Sequence, residues 1–229
     1  MHPRARTAVV TGADSGIGQT VAMALAEDGF HLGLAYAEDR CGAEELARKV
    51  RATSSRATVR QMDPAGVPES AAAVDEFAQE LGGIEVLVNC PGSTAVECIQ
   101  RGVRYMIAGG AGGRIVNITT ASAPGGRLTG LLSTELARYS ITVNSVVVPD
   151  MGVDLEHSAC NDREAAAVTA YLAAPAAAFV TGAAYFVDGT RLTVMPHSLV
   201  DTRDRPRPRR IARRFLTYTG RWTPSRWMR

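Results

Sequence analysis

Apolar positions along this chain change their period repeatedly. Thr7–Val10 is a short β-branched run that leads into a glycine-rich turn. After it Ile17, Val21 and Leu25 recur at helical spacing as far as Gly29. His31–Tyr36 predicts a second strand. Residues 43–52 predict a helix with Leu46 and Val50 inward and Glu44, Glu45 and Arg48 outward, and residues 58–62 a third strand. Pro68 suits the first turn of a helix whose Val74, Phe77 and Leu81 face a core, and Gly82-Gly83 closes it. Residues 85–89 form a buried strand. There follow a helix at about 96–108, a strand at 114–119, a helix at about 127–138 and a strand at 142–148. A helix at about 163–173 and a last strand at 184–187 complete the pattern. Strands separated by single helices imply parallel pairing through right-handed crossovers, hence an α/β fold with a doubly wound parallel sheet of about seven strands.

With 229 residues the chain suits one domain with a full core. Hydrophobic residues at 46 % and charged residues at 21 % exclude a disordered composition. The formal net charge of +2 hides an asymmetry, because residues 201–229 hold ten Arg and two Asp, leaving a net of −6 on residues 1–200. The expected organisation is a domain over 1–200 and an Arg-rich, disordered tail over 201–229. Cys41, Cys90, Cys98 and Cys160 are scattered without metal-ligand spacing, which argues against a metal site and fits a reducing cytoplasm. No signal peptide is read at the start. The uncharged stretch 165–187 is long enough to span a bilayer, but Pro175 and Gly182 interrupt it, so no membrane span is expected.

The segment Thr11-Gly12-Ala13-Asp14-Ser15-Gly16-Ile17-Gly18 lies between the first strand and the first helix. Gly12 permits the tight turn, Gly16 admits a pyrophosphate to the backbone, and Gly18 lets helix and strand pack closely. The helix N-terminus adds free N–H groups and partial positive charge. This Thr-Gly-x-x-x-Gly-Ile-Gly spacing resembles the cofactor signature of the short-chain dehydrogenase/reductase (SDR) family. Further matches follow in order: Asp63 after the third strand, Asn89-Cys90-Pro91-Gly92 closing the fourth, and Gly113-Arg-Ile-Val-Asn-Ile-Thr119. After these come Ile141-Thr-Val-Asn144 and the segment from Val180-Thr-Gly to Val187-Asp-Gly189. The resemblance covers about residues 5–190 and implies a Rossmann fold that binds NAD(P)(H) and transfers hydride to or from a small carbonyl or alcohol substrate. It assigns cofactor contacts to Gly12, Asp14, Ser15, Gly16, Ile17, Gly18, Tyr36, Asp63, Asn89 and Gly92. Tyr36 at the end of the second strand carries no charge to repel a 2′-phosphate, and Arg40 is near in sequence, which favours NADP or dual use.

The catalytic half departs from that pattern. The family uses a Tyr as general acid/base and a Lys four residues later that lowers its pKa, because a phenol near pKa ~10 transfers protons poorly at neutral pH. Here the sole lysine is Lys49, and none of the tyrosines at 36, 105, 139, 171, 185 and 218 has Lys at the fourth following position; Tyr36 alone has an Arg there, Arg40, in the segment after the second strand rather than in the helix where the family carries its pair. Tyr139 falls at the far end of its helix and reads as a packing residue. Thr120 occupies the slot of the family's substrate-orienting Ser and is the one catalytic candidate, with Ser122 nearby. Three segments look shortened: after Gly92, between Ser122 and Gly126, and after Pro149-Asp150-Met151, where a substrate-covering loop is expected. All fall on the nicotinamide and substrate side. A shortened fourth helix is expected to uncover part of the sheet, which admits a homo-oligomer but puts the family's usual assembly in doubt.

The expectation is therefore an oxidoreductase homologue with impaired catalysis, a possible pseudoenzyme. The alternatives are a non-catalytic NAD(P)(H)-binding module and a nucleic-acid or anionic-surface binder acting through the run Arg207-Pro-Arg-Arg-Ile-Ala-Arg-Arg-Phe-Leu. Nucleic acid is the less favoured, since a plain basic tail, or run-on translation in a GC-rich genome, accounts for the same residues.

Overall fold

A computed structural model describes residues 6–66, 69–90, 95–120, 125–149, 155–187 and 192–196, without side chains at 125–127 and 155–161. Pro68, Gly92, Ser122, the segment around Met151 and the tail 201–229 lie outside the described residues.

The strands are β1 (Thr7–Val10), β2 (His31–Tyr36), β3 (Ala57–Gln61), β4 (Val86–Asn89), β5 (Gly113–Thr120), β6 (Ile141–Val148), β7 (Ala183–Val187) and β8 (Leu192–Pro196). The helices are α1 (Gly16–Glu27), α2 (Arg40–Ala52), α3 (Ala73–Leu81), α4 (Ala95–Gly109), α5 (Gly125–Leu136) and α6 (Leu155–Ala173). One sheet runs in the order β3-β2-β1-β4-β5-β6-β7-β8. Neighbours from β3 to β7 pair parallel, whereas β8 returns antiparallel along β7. Among the described residues the sheet therefore has eight strands, against about seven expected. In β8 every residue is exposed, so the strand has no buried alternation to betray it.

Strand alternation builds two cores. Ala8 and Val10 of β1, Val86 and Val88 of β4, and Val116 and Ile118 of β5 point to one face, against Val21 and Leu25 of α1, Leu46 of α2 and Leu172 of α6. Val9, Leu87 and Ile115 point to the other, against Phe77 of α3, Ile99, Val103 and Met106 of α4 and Leu132 of α5. Among the described residues no bare sheet face of the expected kind lies beside α4, which has 15 residues and buries Cys98, Ile99, Gly102, Val103 and Met106. Exposed large apolar side chains among the described residues are instead Tyr171, Phe179, Leu192, Val194 and Met195, three of them on the edge strand β8.

Local chemistry explains the boundaries. Asp39 caps α2 by accepting from the Gly42 N–H at 2.9 Å, so that helix starts three residues before the expected 43. Gly82 closes α3 in the left-handed region, φ +80°. The uncharged stretch after residue 165 divides into the end of α6, a 3-10 turn at Pro175–Ala177 and β7. No helix among the described residues is long and apolar enough to cross a membrane.

Candidate dinucleotide site

β1 and β4 are the neighbours at which the strand order reverses, and ligands of open α/β sheets sit beyond the carboxyl ends of strands at that crevice. Buried Thr11 ties the two strands together there. Its N–H donates to the Val88 carbonyl at 3.0 Å, and its Oγ1 accepts from the Cys90 N–H at 3.1 Å. The chain then reverses through Gly12, whose φ of +64° favours glycine. Ser15 caps α1: its Oγ accepts from the Gly18 N–H at 3.0 Å and donates to the Gly12 carbonyl at 2.7 Å. Those bonds draw the turn so tight that a Cβ at Gly18 would stand 2.1 Å from the Gly12 oxygen. No other residue type fits. The first-turn N–H groups of Gly16 and Ile17 are left facing out of the helix end, as an anion site requires.

Asp14 leaves this turn towards the end of β2. Its Oδ2 accepts from the N–H groups of Ala37 (2.9 Å), Glu38 (3.0 Å) and Asp39 (3.4 Å). Burial pushes this carboxyl's pKa up, but the backbone donors outweigh burial and hold it below the ordinary carboxylate range. Tyr36 is buried at the end of β2, and its carbonyl accepts from the Met62 N–H at 2.7 Å. Asp63 is exposed after β3. Its Oδ1 accepts from the Ala65 N–H at 2.8 Å and its carbonyl from Ser70 Oγ at 2.8 Å, so it organises the 3-10 turn Pro64–Gly66. The structure thus gathers Gly12, Asp14, Ser15, Gly16, Ile17 and Gly18 in one turn, with Asp14 reaching the loop beyond Tyr36. Asp63 follows β3, two strands from β1.

Asn89 ends β4 in a different setting. Its Nδ2 donates to Asn117 Oδ1 at 2.9 Å, Asn117 Nδ2 donates to Thr129 Oγ1 at 3.1 Å, and Thr129 Oγ1 shares a 2.7 Å hydrogen bond with Ser145 Oγ. All four residues are buried, and among the described residues Asn89 Oδ1 has no partner. Asn117 and Ser145 escape the sequence reading, although a polar residue recurs in each of three apolar runs, Val-Leu-Val-Asn89, Val-Asn117-Ile and Asn144-Ser145-Val. The pairing of Asn89 with Asn117, and of Asn117 with Ser145, puts those positions at one level. Asp162 of α6 was also missed; its place beside Gly16 depends on helix packing with no local signal.

The groups of the proton-transfer pair stand elsewhere. Lys49 pairs with Glu45 at 3.9 Å on the outer side of α2, with both side chains about half exposed. Tyr139 belongs to the 3-10 turn Ala137–Tyr139, which precedes β6 at the edge of the sheet opposite the crevice. There it packs on the second core, with the Arg138 guanidinium 4.8 Å from its ring centroid. Burial and Asp75 push the Tyr105 phenol up to about 12, and burial pushes up Tyr185 of β7. Thr120 is the half-buried last residue of β5, opposite Val148. Cys90, behind the glycine turn, is pushed up to about 12 by burial and by the carboxylates of Asp14 and Asp162, so its thiol is neutral. Among the described residues no cluster of three His, Cys, Asp or Glu is placed to hold a metal ion.

A capped glycine turn at the switch point of a doubly wound sheet defines the class of dinucleotide-binding α/β proteins. The sequence profile of the short chain dehydrogenase family matches residues 6–98. The uncharacterized oxidoreductase YohF of Escherichia coli (strain K12) is 31 % identical over 247 aligned positions, covering 84 % of this chain and 98 % of that protein. That alignment has more positions than this chain has residues, so the relative carries segments without a counterpart here. The crystal structure of acetoin dehydrogenase YohF from Salmonella typhimurium superimposes with a TM-score of 0.72 at 30 % identity, over 80 % of this chain and 96 % of that one. Acetoin dehydrogenase from Enterobacter cloacae gives 0.73 at 28 %, over 88 % and 100 %. The chain belongs to the short-chain dehydrogenase/reductase family, whose members are NAD(P)-dependent oxidoreductases.

Proposed function

We propose that this protein binds NAD(H) through the turn from Gly12 to Gly18 and is an oxidoreductase homologue impaired in proton transfer. The observation that carries the binding is the cradle itself, in which a single added Cβ at Gly18 would meet backbone oxygen at 2.1 Å. The first-turn N–H groups of α1 hold the diphosphate. Ser15 fixes the turn, and Asp63 and the loop after Tyr36 face the adenosine. A bound nicotinamide would supply the hydride acceptor or donor. Asn89 and Asn117 support its side of the crevice, and Thr120 orients a substrate oxygen.

Tyr36 and Arg40 favour NADP on sequence. The position of Asp14 supports NAD instead. Its charge already takes the three N–H groups at the end of β2 that would otherwise be offered to a 2′-phosphate, and Glu38 and Asp39 add further negative charge there. The names of two structural neighbours make acetoin, a small hydroxyketone, the first substrate to try. Impairment is supported by the placement of Lys49 and Tyr139 away from the crevice. Residues 1–200 form the binding domain and residues 201–229 a basic appendage. The scattered cysteines and the family favour a cytoplasmic setting.

Titration calorimetry with NAD⁺, NADH and NADPH tests the reading, and the expected result is saturable binding with NADH tighter than NADPH. Absence of saturable binding to folded protein overturns it. Turnover of acetoin or of an aldehyde, ketone and sugar panel well above that of a Gly16→Asp variant would remove the impairment.

A further inference from the structure

α6 packs along α1, and this brings a carboxylate to the mouth of the cradle. Asp162 lies in the middle of α6, and its Oδ2 is 3.1 Å from where a Cβ on Gly16 would be. Gly16 is the first residue of α1, so the carboxylate stands at the helix end where an outside anion would dock. Among the described residues Asp162 has neither a hydrogen-bond donor nor a cation as partner. The titratable group that feels its charge is Cys90 at the end of β4, whose thiol is neutral and also feels the carboxylate of Asp14 in the turn after β1. The sole charged residue of α1 is Glu27, at the helix's other end, and β6 has none. On α6 itself its neighbours are Arg163, which is exposed, and Glu164.

We propose that Asp162 is a built-in anion on the diphosphate cradle, which makes dinucleotide binding weaker and proton-coupled. This rests on the reading of the Gly12–Gly18 turn as a diphosphate site. The carboxylate stands beside the N–H groups that a diphosphate would use, and two anions cannot share that helix end without repulsion. Protonation of Asp162 relieves the repulsion.

The sign follows from the electrostatics. Burial already pushes the Asp162 carboxyl above the ordinary range in the free protein. An adjacent diphosphate raises it further, so binding takes up a proton and affinity rises as pH falls. Asp14, held low, stays ionised across pH 5.5–8, while Cys90 stays neutral, so neither produces that slope.

The experiment titrates NAD⁺ and ADP-ribose, whose diphosphates stay ionised throughout, into wild type, Asp162→Asn, Asp162→Ala and Gly16→Asp between pH 5.5 and 8. Circular dichroism reports the folding of each. Wild type is expected to bind about tenfold more tightly at pH 5.5 than at pH 8. Asp162→Asn, which keeps the shape and loses the charge, is expected to bind at pH 8 at least as tightly as wild type does at pH 5.5, with a flat profile. Equal affinities and slopes in wild type and Asp162→Asn, with Gly16→Asp abolishing binding, overturn the proposal and leave the cradle standing. Tightening by Asp162→Ala alone overturns it too, since bulk rather than charge would then be the obstacle. No binding in wild type or Asp162→Asn at any pH overturns the cradle along with it.

Discussion

The half of the sheet from β3 to β1 and the half from β4 to β7 are packed alike but equipped differently. Both bury apolar strand residues between helices on two faces. In the first half, polar groups at the strand ends are drawn into a tight arrangement that leaves N–H donors facing outward: Ser15 caps α1 and Asp14 gathers three amides. In the second half, the polar groups face each other. Asn89, Asn117, Thr129 and Ser145 form a chain beneath the surface, and no Tyr with a neighbouring Lys stands at the carboxyl ends of its described strands. On the proposed reading the fold keeps a binding half without a chemical half, and the core side chains that hold the sheet stand apart from both.

The largest expected contrast is in turnover. With acetoin and NADH the protein should run about 10²- to 10⁴-fold below a family member that keeps the Tyr and Lys pair, the range a positioned acid/base contributes. Rates comparable with such a member in a steady-state assay would erase the difference between the halves. Next is Gly18→Ala. Its new methyl meets the Gly12 oxygen, so it should weaken NAD⁺ binding by up to about 100-fold, from the strain of one forced contact. Calorimetry beside Thr120→Val, which should change affinity less than about twofold, would show whether binding resides in the first half alone.

A smaller effect tests the second half. Asn117→Ala strands buried groups on Asn89 and Thr129 and should lower stability by about 1–3 kcal/mol in urea unfolding, with little change in affinity per folded molecule. A loss below about 0.5 kcal/mol would make the polar chain incidental. The smallest effect concerns Asp14. Its carboxyl is held below the ordinary Asp value of 3.8 in the folded protein, so its stabilisation is present above that value and is lost as pH falls through the lowered one. Wild type should therefore lose more stability than Asp14→Asn between pH 5 and pH 3 in acid unfolding, and equal losses would remove Asp14 from the accounting.

Much of this contrast is written in consecutive residues. The alternation of β-branched runs with helical stretches places β1 and β2 at their observed bounds, because burial on two faces imposes a period on nearby positions. The glycine turn is equally local: Gly12, Ser15 and Gly18 act on one another within seven residues, so their spacing reveals the cradle. What is missing is legible too, since no packing can supply a second lysine to a chain that has only Lys49.

The remainder needed the folded molecule. β8 carries no pattern because an exposed edge strand has no face to bury, and only its pairing with β7 defines it. Asn89, Asn117 and Ser145 become one chain only through the register of three parallel strands. Asp162 meets Gly16 across 146 residues of sequence, because α6 returns to lie on α1. Local sequence sets what each segment can do with its neighbours in the chain, whereas electrostatic and hydrogen-bonding partners are set by distance in space. Only the packing of the sheet and its helices decides which distant residues come close.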